Sequence, residues 1–142
     1  MKPEETIDFH IKTTWHAIYR MYNQEASQHD ITTSIGFVLL NIHPDEGTAA
    51  TKIAPLMGLE SRSLTRMLKG MEEKGFIYKR KDETDKRSVR IFLTDVGKKK
   101  KEISRQTVLA FNNKMRKVIS EEDLKTFFKV ITEVNKQIAL TN

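Results

Sequence analysis

Near Gly75 the apolar residues of this 142-residue chain change their period, and that change limits the fold more than any other feature. Before it, apolar side chains return at three- and four-residue steps, the spacing of a helix face. After it come two β-prone runs, residues 76–81 and 88–93, joined by the polar turn segment Asp82-Glu83-Thr84-Asp85-Lys86-Arg87. In the second run Val89, Ile91 and Leu93 share one face, so the pair is predicted to be a hairpin. Two short helices precede it, over about 50–57 and 61–74. Gly58 separates them, and Gly75 closes the second at a position that suits a left-handed cap. Helix, turn, helix and hairpin follow one another in the order of a winged helix.

Helices are also predicted on both sides of this unit. Ile7, Ile11, Trp15, Ile18 and Tyr22 recur at helical steps, which makes residues 4 to about 26 an amphipathic helix with an aromatic face. Thr32 or Thr33 can cap a second helix through Phe37, Leu39 and Leu40 to Ile42, stopped by the turn at 43–47. Thr94, with Asp95 in the first turn, caps a long helix from 96 to about 119. Ser120-Glu121-Glu122-Asp123 is a capping-box signature for a last one, which carries Leu124, Phe127, Phe128, Ile131 and Ile138 on one side. The expected fold is mainly α with a small β-hairpin: one domain over 1–142, with a winged helix-turn-helix at 45–95 flanked by dimerisation helices at 1–44 and 96–142. Dimerisation is expected because the aromatic face of the first helix needs more apolar partner surface than a chain this size readily supplies.

Charge is distributed unevenly. Residues 60–101 hold 14 Lys or Arg against 7 Asp or Glu, while the remainder holds 11 against 12. A positive excess confined to one third of the chain is the footprint of a polyanionic partner, although lysines kept for solubility produce such runs too. The chain has no cysteine, which excludes disulfides, thiolate metal sites and thiol redox sensing. Uninterrupted apolar runs such as Phe37 to Leu40 fall far short of a membrane span, so a cytoplasmic protein with no membrane partner is expected.

On a helical wheel Arg62, Arg66 and Lys69 fall within a stripe roughly 60° wide, opposite Leu64, Met67, Leu68 and Met71. A helix so divided buries one side and presents the other, and an α-helix fits the DNA major groove, where Arg grips guanine bidentately. Ser61, Ser63 and Thr65 flank the stripe with short hydroxyls. Lys79, Arg80, Lys81, Lys86, Arg87 and Arg90 make the hairpin cationic, which suits contact with the DNA backbone. In an extended strand Asp85 and Arg87 stand side by side, so the carboxylate is expected to hold the guanidinium at the wing tip. An ordinary solvated helix bearing outward cations remains the alternative.

These stretches resemble the multiple-antibiotic-resistance regulator (MarR) family. Ile53-Ala54-Pro55-Leu56-Met57-Gly58-Leu59 is similar to its first motif helix and turn. Ser61-Arg62-Ser63-Leu64-Thr65-Arg66-Met67-Leu68, followed by Met71-Glu72-Glu73-Lys74-Gly75-Phe76-Ile77, is similar to its recognition helix and exit. Asp85-Lys86-Arg87-Ser88 through Phe92-Leu93-Thr94-Asp95-Val96-Gly97 is similar to its wing and the helix start beyond. The resemblance covers the central third of the chain. It implies a homodimer that binds a pseudo-palindrome in double-stranded DNA, with Ser61, Arg62, Ser63, Thr65 and Arg66 in the major groove and Arg87, braced by Asp85, in the minor groove; Lys69 and Lys86 complete the expected DNA contacts. It also implies repression relieved by a small anionic or phenolic effector, for which His10, Trp15, Tyr19 and Phe37 are candidate contacts. Aromatic residues at helical spacing more often serve as core or interface than as a ligand box. Glu60 departs from the small hydroxyl cap that the family often has at the start of the recognition helix.

Other classes find less support. The histidines at 10, 16, 29 and 43 form no i, i+4 pair, so no metal is expected. The absence of a glycine-rich phosphate loop, an activated nucleophile and a cofactor fingerprint argues against an enzyme and against any cofactor. Glu72 and Glu73 diverge around their helix and suit salt links or solvent. The run Lys98–Lys101 suits either solvent or phosphate. Two further readings stay open: an architectural or RNA-binding winged helix without base readout, and a helical module that meets an acidic protein.

Overall fold

The computed structural model describes residues 1–141. A 3-10 turn, Pro3–Glu5, leads into α1 (Ile7–Ser27), and α2 (Thr33–Leu40) follows. Thr32 is the cap of α2, its hydroxyl accepting the Ile35 N–H at 3.1 Å. Asn23 ties the two helices, because its side-chain oxygen accepts both the Thr33 N–H (2.9 Å) and the Thr33 hydroxyl (2.6 Å). After the turn at 43–47 come β1 (Thr48–Ala49), α3 (Ala50–Met57), α4 (Ser61–Glu73), β2 (Ile77–Lys81), β3 (Val89–Leu93), α5 (Asp95–Val118) and α6 (Glu121–Thr141).

Glycines set the breaks. Gly58 ends α3 at φ 64°, and Gly75 follows α4 at φ 79°. There Phe76 N–H reaches back to the Met71 carbonyl (2.9 Å) and Gly75 N–H to that of Glu72 (3.0 Å), a paired closure of the helix end. The three strands form an antiparallel sheet in the order β1-β3-β2, with Ile77 opposite Leu93 and Lys81 opposite Val89. Strand β1 was not foreseen, and it pairs Thr48 with Ile91 and Ala49 with Arg90.

The core joins α2, α3, α4 and the sheet through Leu39, Ile42, Ile53, Met71, Ile77 and Ile91, all fully buried. Burying each such side chain is worth about 1.5–3 kcal/mol relative to leaving it in water, and this apolar mass fixes α4 against the hairpin. The chain divides into two compact units, Met1–Thr107 and the segment from Val108 onward. The first contains the whole core. The second holds the end of α5 and all of α6, a helix with no buried residue. No helix among the described residues is long and apolar enough to cross a membrane.

Candidate nucleic-acid interface

Helix α4 divides as its sequence requires. Leu64, Leu68 and Met71 are buried at 3%, 4% and 0% exposure, whereas Ser61, Arg62, Ser63, Thr65, Arg66 and Lys69 are all exposed. The inward face holds the helix in place and leaves three cations facing solvent. The Thr65 hydroxyl donates to the Ser61 carbonyl at 2.8 Å, so it offers an outside partner only its lone pairs. Glu60 is the N-cap of α4, and its side chain makes no cap hydrogen bond.

The wing tip, residues 82–88, lies outside both strands, so the expected alternation does not govern it. It folds instead around two carboxylates. Asp82 Oδ1 accepts from Thr84 N–H (2.9 Å), Thr84 Oγ1 (2.8 Å) and Asp85 N–H (3.3 Å). These bonds, that of the Thr84 side chain first, hold the Asp82 pKa down at about 2. Asp85 Oδ1 accepts the main-chain N–H of Arg87 at 3.0 Å and stands 3.8 Å from its Nε. The Arg87 side chain is 96% exposed, so Asp85 shapes the backbone beneath Arg87 more than it clamps the guanidinium. Lys86 beside it is exposed.

Several cations assigned to solvent or phosphate are committed within the fold. Arg90 donates from Nε to the Glu46 carbonyl (2.7 Å) and from a terminal nitrogen to that of Gly47 (3.3 Å), and it pairs with Asp82 Oδ2 at 3.5 Å. Lys79 pairs with Glu72 at 3.5 Å, which gives Glu72 its salt link and ties α4 to β2. Arg80 lies over the Tyr78 ring at 4.8 Å, and that ring stacks on Phe92 at 5.3 Å. Lys100 donates to the His29 carbonyl (2.5 Å), and Lys101 to those of Leu40 (3.4 Å) and Ile42 (2.5 Å). Two of the four lysines in the run 98–101 therefore bind carbonyls at or just beyond the C-terminal ends of α1 and α2, and burial pushes the Lys101 pKa down. Arg87, Lys86 and the stripe on α4 face outward, as do Lys81, Lys98 and Lys99.

The candidate effector contacts come together only in part. Trp15 lies 5.9 Å from Tyr19 and 5.8 Å from Phe37 between ring centroids, and Tyr22, which had not been singled out, completes the group 6.1 Å from Phe37. The Tyr19 hydroxyl meets Ser34 Oγ at 3.3 Å. His10 stands apart from this group, because its Nε2 bonds the Glu4 carbonyl at 2.6 Å and its ring packs edge-on to Phe9. The bond removes one polar atom from use, and no signal in the sequence foretold it. Among the described residues no three His, Asp or Glu side chains are grouped to hold a metal ion.

The sequence signature of the MarR family matches residues 31–89. Over 90 residues the chain is 34% identical to the HTH-type transcriptional regulator TtmR of Methylorubrum extorquens, an alignment covering 63% of this chain and 46% of that protein. Over 96 residues it is 31% identical to the HTH-type transcriptional regulator SarZ of Staphylococcus aureus, covering 67% of this chain and 65% of that one. The chain thus spans less than two thirds of either relative. The crystal structure of a MepR–DNA complex from S. aureus superimposes with a TM-score of 0.84 at 23% identity, covering 93% of this chain and 98% of that one.

Proposed function

We propose that this chain, which carries the MarR-family signature over residues 31–89, is a cytoplasmic, sequence-specific regulator of transcription that binds double-stranded DNA as a homodimer. The observation that carries this reading is the division of α4. Arg62, Arg66 and Lys69 are exposed opposite a buried apolar face, and the fully exposed Arg87 follows on the wing. An exposed, cation-bearing helix of this diameter fits a major groove, and Ser61, Arg62, Ser63, Thr65 and Arg66 are the residues proposed to reach base edges. Lys69 and Lys86 take phosphates, and Arg87 takes the narrower minor groove. Two such lobes read a pseudo-palindrome with half-sites about one helical turn, roughly 10 bp, apart.

Repression is the family's common mode of action. A small anionic or aromatic effector is supported by the ring cluster of Trp15, Tyr19, Tyr22 and Phe37, of which Trp15 is 44% exposed.

Selection of bound sequences from a random duplex pool, followed by competition at physiological salt, tests the reading. The selected site should outcompete random duplex by about a thousandfold or more. Equal competition by random duplex, or by RNA, would turn the molecule into an architectural or RNA-binding winged helix. Arg66→Ala should cost about 1–3 kcal/mol per broken base contact and relax preference at one symmetric base position. A uniform loss across all sequences would remove its base-reading role.

A further inference from the structure

We propose that Arg90 is a positioning residue for DNA binding: by joining the carbonyls of Glu46 and Gly47 to the carboxylate of Asp82, it sets where the wing tip carries Arg87. The inference rests on the reading of the wing as a DNA contact and adds a residue that does not itself touch DNA.

The anchor is the turn at 43–47, which is cross-linked internally. His43 Nδ1 accepts the N–H groups of Asp45 (3.2 Å) and Glu46 (3.0 Å), His43 N–H donates to Thr48 Oγ1 (2.9 Å), and Gly47 N–H returns to the His43 carbonyl (3.1 Å). The turn also lies hard against β3. At Gly47, where φ is 67°, a Cβ would meet the Ile91 carbonyl oxygen at 2.6 Å and the Phe92 ring at 2.8 Å. Beneath it, β1 pairs Ala49 with Arg90 in the ladder. Arg90 therefore starts from a strand that is held on both edges, by β1 and by β2.

From that base its guanidinium spans two parts of the chain that no other polar side chain joins among the described hydrogen bonds. Nε and one terminal nitrogen hold the Glu46 and Gly47 carbonyls, and the other terminal nitrogen faces Asp82 Oδ2 at 3.5 Å. Asp82 is 4% exposed. Its second oxygen gathers Thr84 and Asp85, and Asp85 in turn accepts the Arg87 N–H. The line of bonds runs from a cross-linked turn, through Arg90 and Asp82, to the backbone under Arg87. Arg80, opposite Arg90 in the strand pairing, directs its guanidinium to the Lys79 carbonyl and over the Tyr78 ring, so it does not compete for Asp82. Only 31% of the Arg90 side chain is exposed, against 96% for Arg87, which separates a residue that holds from one that reaches.

A double-mutant cycle on the duplex recovered by selection tests the assignment. Arg90→Ala should weaken binding by roughly tenfold, and in an Arg87→Ala background the same change should cost less than about twofold, because the contact it positions is already gone. Asp82→Asn keeps an oxygen for Thr84 and loses the anionic partner of Arg90, so it should reproduce part of the loss with less risk to folding. Equal losses in the two backgrounds would make Arg90 a direct DNA contact, and unchanged affinity in both single variants would leave it without a role in binding. Hydrogen exchange on the free protein supplies a readout that needs no DNA. Arg90→Ala should speed exchange at the Thr84, Asp85 and Arg87 amides while the amides of α4 stay protected. Unaltered exchange there overturns the clasp even if the duplex binds, whereas accelerated exchange in a protein that binds no duplex overturns the regulator reading and leaves the clasp standing.

Discussion

Asp82 accepts hydrogen bonds from Thr84 and Asp85 and faces Arg90, and these partners hold its carboxyl at about 2 where an unfolded chain would have 3.8. A carboxylate whose pKa is lower in the folded state contributes stability above the unfolded value and loses it as pH falls through the folded one. The contribution of Asp82 should thus be complete above about pH 4 and fade toward pH 2. Thermal unfolding of the wild type and of Asp82→Asn across that range measures it: the wild type should melt higher at pH 6, and the gap should close as the carboxyl protonates. A gap of constant size from pH 6 to pH 2 would show that the hydrogen bonds do not distinguish the charged form. Counting charges along the chain cannot reveal this difference between residues. Arg87 and Arg90 are the same residue type three positions apart, yet one is exposed and the other is bound to carbonyls of a turn more than forty residues earlier.

The passage from the hairpin into α5 depends on a close fit. Thr94 Oγ1 donates to the Gly75 carbonyl (2.6 Å) and accepts the Gly97 N–H (3.0 Å), while Thr94 N–H bonds the Phe76 carbonyl (3.0 Å). One residue thereby caps α5 and binds its start to the end of α4. A Cβ on Gly97 would stand 1.9 Å from the Phe76 carbonyl oxygen, which is backbone and cannot swing aside. Gly97→Ala should therefore destabilise the fold by about 1–3 kcal/mol, the usual cost of overpacking, and denaturant midpoints would register it. An unchanged midpoint would mean that α5 shifts freely against the hairpin. Elements of this kind were legible in advance because a period, a cap and a breaker coincide. The bounds of α3, the Thr94 cap and the glycine closures at 58 and 75 all follow from such local rules. Strand β1 was not legible, since two residues carry no period and Thr48 and Ala49 become a strand only by pairing with β3. For the same reason the inward roles of Lys100, Lys101 and Arg90 escaped notice: their partners are distant carbonyls, which leave no mark in residue type.

At the scale of the whole molecule, apolar surface is left without cover. Helix α6 has no fully buried residue, and Phe127, Phe128, Val130, Ile138 and Leu140 are each at least half exposed. In α1, Ile7, Ile11 and Trp15, at four-residue steps, are 58%, 45% and 44% exposed. A monomer does not ordinarily keep two long helices in this condition, and closed pairing with a second copy is the simplest way to bury them. The proposed dimer also gives the DNA reading its strength, because two tethered lobes meet two half-sites at high effective concentration, worth about 10²–10⁴ in avidity. Sedimentation should find twice the mass of one chain at micromolar concentration. Introducing Phe127→Glu together with Phe128→Glu should shift it to the single mass, since a buried carboxylate pair without partners is costly. The same variant should bind a single half-site duplex about as well as the wild-type lobe does and lose the two-site avidity. A wild-type chain that sediments as a monomer, or a variant that stays dimeric with full avidity, would move the pairing surface away from α6 and leave its aromatic face without a purpose in this molecule.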